Sequence, residues 1–174
     1  ELDHLIDTSL TYARFEREAP EPHFSSVRFA QWLNDEVDAV RLLGRDLTIA
    51  VDTEKLPENL LVDLDRKAMP YALRNLLRNA FKYANKQINV SAELQQDRIM
   101  IHVDDDGIGI PPEDREHVFS AFTRLDRSRD RATGGYGLGL AITRRVLELH
   151  GGTATADAAP LGGARFTLAW KAQQ

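Results

Sequence analysis

The chain has 174 residues, 43% of them apolar and 28% charged, which suits one globular domain with a sizeable core and at most an appendage. A net charge of -5 argues against a nucleic-acid binder, which needs a basic surface, and the absence of cysteine excludes disulfides, thiolate zinc sites and thiol catalysis. No apolar run approaches the roughly 18 residues of a membrane span, and the chain opens in mid-pattern, as a fragment of something longer would.

Leu2, Leu5, Ile6, Leu10, Ala13 and Phe15 recur at helical spacing and predict a helix over Leu2 to Arg17. Ala19-Pro20-Glu21-Pro22 breaks it and reads as a linker over 20–24. A second amphipathic helix fits Phe29 to Leu43, with Gly44 placed to stop it. Leu47 to Val51 and Leu60 to Val62 read as strands. A long helix follows, capped at Asp65 and running to Ala84, in which Pro70 lies too deep for a free first-turn position. Ile88–Leu94 and Arg98–Val103 predict a hairpin about Gln96-Asp97, and Pro111-Pro112 a short helix ending near Phe119. Thr123 to Tyr136 has no period and much charge, as a long loop would. Leu138, Ile142, Val146 and Leu149 mark a last helix closed by Gly151-Gly152, before strands at Thr153–Ala156 and Arg165–Trp170. This order predicts an α/β (α+β two-layer) fold with a mixed sheet and its helices on one face.

Three segments carry chemistry. On the long helix, Leu73, Leu76, Leu77, Ala80 and Ala84 share the apolar face. Asn75, Asn79 and Lys82 share another, with Tyr83 at its edge. Such a face is ordinarily a solvated one, yet asparagine is a poor helix former, and two of them one turn apart could serve an octahedral Mg²⁺. Lys82 could then meet phosphate and Tyr83 cover a purine.

The second segment is Asp105-Asp106-Gly107-Ile108-Gly109, followed by Ile110. A carboxylate there suits an exocyclic amino group such as adenine's and repels guanine's carbonyl. A plain Asp-Gly turn is one alternative. A calcium loop through Asp104, Asp106, Gly107 and Glu113 is another, though its first ligand would be His102.

The third is Gly135-Tyr136-Gly137-Leu138-Gly139, whose backbone N–H groups at a helix start would cradle an anion or simply form a hinge. Upstream, Arg124, Arg127, Arg129 and Arg131 alternate with Asp126 and Asp130, either as a solvated loop or as a lid reaching phosphates.

In this order the segments resemble the catalytic ATP-binding domain of two-component sensor histidine kinases. Asn75 to Tyr83 is similar to that family's asparagine box, Asp104 to Pro111 to its first glycine box, and Val118 to Arg124 to its phenylalanine box. Gly135 to Ala141 resembles the second glycine box and Gly162-Gly163-Ala164-Arg165-Phe166 the closing one. The resemblance covers about residues 25 to 172 and implies the Bergerat fold, a mixed five-stranded sheet on three helices with ATP and Mg²⁺ under a lid.

The resemblance further implies Asn79 as the Mg²⁺ ligand, with Asn75 near metal and phosphates. Lys82, Arg124 and Arg129 would contact phosphate. Tyr83, Asp105, Gly107, Gly109 and Ile110 would line the nucleotide, and Gly135 to Gly139 would cradle it, although Tyr136 stands where a small residue is commoner. Asn75 occupies the position at which the hydrolytic members of the superfamily place a glutamate, so the resemblance implies phosphoryl transfer rather than hydrolysis. Residues 1–19 are similar to the end of the dimerisation and phosphoacceptor domain, whose histidine is absent; His4 has the wrong context. The implied partners are that domain, in a homodimer, and a response regulator. The implied setting is the cytoplasmic part of an inner-membrane sensor, with no membrane contact by this portion. A serine-kinase-type or non-catalytic module of the same fold is the alternative.

Overall fold

The computed structural model describes residues 21–42, 46–120 and 139–174. The predicted helix over Leu2 to Arg17, Gly44, and the loop from Thr123 to Tyr136 lie outside them.

Phe24–Arg28 forms β1, which runs directly into α1 (Phe29–Arg41). The chain continues through β2 (Thr48–Asp52), β3 (Leu61–Asp65), α2 (Ala68–Tyr83), β4 (Gln87–Gln95) and β5 (Arg98–Asp105). Two 3₁₀ turns, Pro112–Asp114 and His117–Phe119, stand where a short helix was expected. Consecutive prolines withhold backbone donors there, so only single turns close. The described part ends with α3 (Gly139–Leu149), β6 (Thr153–Ala158) and β7 (Ala164–Lys171).

Five strands form one mixed sheet in the order β2-β4-β5-β7-β6. The β2–β4 pair is parallel and the other three are antiparallel, because the chain crosses over through β3 and α2 between β2 and β4. Gln95 pairs with Arg98, leaving the two-residue turn Gln96-Asp97 with Gln96 at φ 57°, as a tight hairpin requires.

One sheet face is apolar: Ile88 and Val90 of β4, Ile99, Ile101 and Val103 of β5, and Phe166, Leu168 and Trp170 of β7 are all buried. Against it pack Phe29, Leu33, Val37 and Val40 of α1, Leu73, Leu76, Leu77 and Ala80 of α2, and Ile142, Val146 and Leu147 of α3. Three helices on one face of a mixed five-stranded sheet are the layers the sequence predicted.

The β1–β3 pair was not read from the sequence. It forms a separate antiparallel ribbon, Phe24 opposite Asp65 and Arg28 opposite Leu61. The ribbon is tied to the main sheet by Asp63, whose N–H donates to Ala172 O at 2.7 Å and whose carbonyl accepts Trp170 Nε1–H at 2.9 Å.

The start of α2 differs by a few residues from expectation. Asp65 closes β3, and its Oδ1 accepts the N–H groups of Lys67 (2.9 Å) and Ala68 (3.0 Å). The helix itself opens at Ala68, so Pro70 is its third residue. The N–H groups of a first turn have no helical partner, so a proline there removes nothing.

Candidate functional site

The α2 face predicted to meet a nucleotide is not an ordinary solvated face. Asn75 is only 8% exposed, and its Nδ2 is the one buried side-chain polar atom among the described residues without a hydrogen-bond partner. Such an orphan costs about 1–3 kcal/mol unless something accepts its protons. The Asn75 side chain lies beside Gly139, the first residue of α3: a Cβ built there would stand 3.7 Å from Asn75 Oδ1. Thr143 bridges the two helices, its single hydroxyl proton shared between Ala72 O at 3.2 Å and Gly139 O at 3.1 Å. Asn79, one turn on, is half-buried, as are Lys82 and Tyr83. The Lys82 ammonium lies over the Tyr83 ring, 5.5 Å from its centroid.

The first glycine box docks onto the end of this helix. A Cβ at Gly107 would stand 2.2 Å from the Tyr83 carbonyl oxygen, so only glycine permits the approach. Three consecutive aspartates at the end of β5 and start of the box take three different roles. Asp104 points to the open face of the sheet, where both its oxygens meet Arg165 (Nε–Oδ1 2.7 Å, Nη2–Oδ2 2.8 Å). Asp106 ties the box to the α2–β4 link through the N–H groups of Asn85 (2.7 Å) and Lys86 (3.1 Å).

Asp105 points inward and is 2% exposed. Its Oδ1 accepts the N–H of Gly107 at 2.9 Å and of Ala164 at 3.1 Å, which leaves Oδ2 for a ligand. Burial raises its pKa above the ordinary carboxylate value, the two N–H groups oppose this, and the charges of Asp106 and Asp104 add to it. A shielded carboxylate with one oxygen fixed and the other unengaged is a selective acceptor for an amino group. The calcium-loop alternative fails on this geometry. Asp104 and Asp106 diverge to other partners, His102 meets Thr167 and Glu93, and no cluster of metal-binding acids and histidines exists among the described residues.

Gly109, at φ 75°, passes beside Gly163, and Ile110 packs partly against the core while its carbonyl accepts Arg115 Nε–H at 3.2 Å. Phe119 is buried edge-on to Phe166, with the Arg144 guanidinium 4.4 Å above its ring. Arg124, Arg129, Gly135, Tyr136, Gly137 and Leu138 lie outside the described residues, as does Phe122. Of the proposed site, the structure thus brings together the asparagine face of α2, the first glycine box and the start of α3.

Gly163, Ala164 and Arg165 had no role in the reading of individual residues. All three serve the aspartates: Gly163 by absence of a side chain, Ala164 by its N–H, Arg165 by its charge. Their signal was the Gly-Gly step before a strand, legible only once β7 is known to lie beside β5.

Residues 64–174 match the family described as histidine kinase-, DNA gyrase B-, and HSP90-like ATPase. The chain belongs to this family. Sensor protein RstB of Escherichia coli (strain K12) is 42% identical over 170 residues, which span 98% of this chain and 39% of RstB. The crystal structure of full-length ShkA in complex with AMPPNP superposes with a TM-score of 0.81 at 25% identity, covering 97% of this chain and 35% of ShkA. The catalytic domain of histidine kinase ThkA shares the fold at a TM-score of 0.71 and 23% identity, covering 87% of this chain and 99% of that domain. Within the family the chain is therefore an ATP-binding domain of the sensor histidine kinase type, and it spans less than half the length of the sensor protein it matches.

Proposed function

We propose that the chain binds Mg-ATP and presents its γ-phosphoryl group to a histidine of the dimerisation domain of the same sensor kinase, for relay to a response regulator. The observation that carries this reading is the pairing of a buried, half-engaged Asp105 with an orphaned Asn75 amide beside the start of α3. One recognises an amino group and the other offers protons to an oxygen, which are the two ends of ATP.

Asp105 Oδ2 would accept the adenine amino group, and Tyr83 would cover the base. Asn75 Nδ2 would donate to a phosphate oxygen, Lys82 would neutralise phosphate charge, and the glycines before α3 would expose N–H groups. Asn79 fits Mg²⁺ through its amide oxygen, since Mg²⁺ takes few protein ligands beside phosphate and water. When bound, the cation supplies charge neutralisation for the transferring phosphoryl group. Arg124 and Arg129 would complete the phosphate contacts.

Transfer rather than hydrolysis is favoured because α2 contains no aspartate or glutamate. An amide at position 75 cannot remove a proton from water at neutral pH. The partners, and a setting on the cytoplasmic side of a membrane sensor, follow from the same reading. Among the described residues no helix is long and apolar enough to cross a membrane.

The test is calorimetric titration of the chain with Mg-AMPPNP, followed by phosphorylation from labelled ATP of the chain joined to its dimerisation domain. The wild type should bind the analogue and label a histidine, and Asn79→Ala should abolish labelling. Absence of nucleotide binding, or full labelling in the Asn79 variant, would overturn the assignment.

A further inference from the structure

The pair Ala164–Arg165 touches two neighbouring carboxylates from one strand. On the inner face of the sheet the Ala164 N–H holds Asp105; on the open face the Arg165 guanidinium grips both oxygens of Asp104, directly opposite in register. Asp104 is 4% exposed, so its charge is poorly screened and acts on the adjacent Asp105 through protein rather than water. Two buried carboxylates on adjacent residues repel each other unless a nearby cation offsets one of them.

The geometry points to Arg165 as a positioning residue: by neutralising Asp104 across the β5–β7 pair, it keeps Asp105 ionised and its free oxygen able to accept the nucleotide's amino group. The inference rests on the reading of Asp105 given above and extends it to a residue with no contact to the ligand.

The surrounding charges support the assignment. Asp106, held by the N–H groups of Asn85 and Lys86, is a further negative charge beside Asp105 and adds to the need for a cation. The last turn of α2, which meets Gly107, carries the titratable side chains Lys82 and Tyr83; Tyr71, Arg74 and Arg78 lie earlier on the helix. On the open face, Glu93 of β4 and Asp157 of β6 add negative charge around Arg165, which raises its pKa further after the Asp104 hydrogen bonds have done so. Asp157 also pairs with Arg115 at 3.2 Å and Glu93 contacts His102 at 3.4 Å. Arg165 is therefore the cation that both oxygens of Asp104 engage.

Opposite substitutions separate charge from mere structure. The carboxyl ¹³C resonance of Asp105 is followed against pH in the free chain, and AMPPNP affinity is measured at pH 6 and pH 8. Arg165→Met should raise the Asp105 midpoint and weaken binding at pH 6 about threefold or more beyond any change at pH 8, a tenfold change matching one pKa unit. Arg165→Lys should largely restore both. Asp104→Asn, which leaves the guanidinium unpaired, should lower the midpoint, and it remains informative if Arg165→Met fails to fold. Midpoints that do not move, or that move the same way in the Met and Asn variants, would overturn the inference and mark the pair as a structural clamp. A wild-type chain that binds no AMPPNP at any pH would instead overturn the reading of the nucleotide site, while the resonance still decides whether Arg165 controls Asp105.

Discussion

Gly163 and Asp105 are packed so closely that a Cβ on residue 163 would stand 2.2 Å from Asp105 Oδ1 and 2.5 Å from its carbonyl oxygen. The constraint is contact with a carboxylate and backbone, since Gly163 is not among the glycines at positive φ. Gly163→Ala must therefore push Asp105 or strand β7 aside. Overpacking of this kind costs about 1–3 kcal/mol. The expected outcome is a folded chain by circular dichroism with a lowered Tm and AMPPNP affinity reduced about tenfold or more, because the Ala164 and Gly107 N–H bonds to Asp105 cannot both survive. Unchanged affinity would show that Asp105 tolerates displacement and is not the recognising group.

Asn75 exposes the opposite trade. Its Nδ2 is buried without a hydrogen-bond partner among the described residues, a penalty that an accepting oxygen would remove. Asn75→Ala should raise the unfolding free energy of the free chain by about 1 kcal/mol, from relief of the orphan and the better helix propensity of alanine. The same variant should bind Mg-AMPPNP more weakly than wild type. Paired denaturant melts with and without the analogue check both halves, and a destabilised free variant would show that Asn75 is structural.

His150 sets the acid limit of the fold. It is 1% exposed, donates Nδ1–H to Val146 O at 2.8 Å and accepts the Asp65 N–H on Nε2 at 3.0 Å, so it is held neutral with both nitrogens occupied. Burial lowers its pKa below the ordinary histidine value, against smaller opposing pulls from the Val146 carbonyl and then from Asp65. The unfolded chain thus binds the proton first. Stability falls as pH drops below about 6.5 and continues to fall until the lowered native pKa is reached. Asp105 acts the other way, because its raised pKa makes the native state bind protons before the unfolded one, which adds stability only as pH falls from that raised value toward about 3.9. Asp65, with a lowered pKa, loses its contribution only below the ordinary carboxylate range. Urea melts between pH 7.5 and 5 should show declining stability in wild type and a flatter profile in His150→Gln. Equal slopes would remove His150 from the account.

What the sequence revealed depended on how local the cause was. The asparagine face of α2 and the Gln96-Asp97 hairpin were legible because spacing along one element decides them. The ribbon strand β1 was not, since among Phe24–Arg28 only Val27 is buried and its partner β3 lies beyond α1 and β2. The first glycine box showed which residues could recognise a base, yet not how three aspartates divide their roles. That division is made by Arg165, Ala164 and Asn85, which reach the box from β7 and from the α2–β4 link. Asp65 was read as a cap and does accept the N–H groups of Lys67 and Ala68, but α2 starts three residues later than the cap itself, which is what makes room for Pro70.

Trp170 joins the ribbon to the main sheet and gives the last test. It is fully buried, edge-on to Phe29 at 6.0 Å and to His150 at 6.0 Å, and its Nε1–H is given to the carbonyl of Asp63 in the link between β3 and β7. Trp170→Phe keeps an aromatic ring but leaves that carbonyl without the indole donor and opens a void, which together cost about 2–4 kcal/mol. Because Phe24 of the ribbon also packs edge-on to His150 at 5.3 Å, the loss should be felt first at β1. Hydrogen exchange in the variant should therefore accelerate at Ser25 to Arg28 more than in β4 and β5, while AMPPNP affinity at saturating stability stays near wild type. Uniform acceleration across the sheet would show instead that ribbon and sheet unfold as one unit.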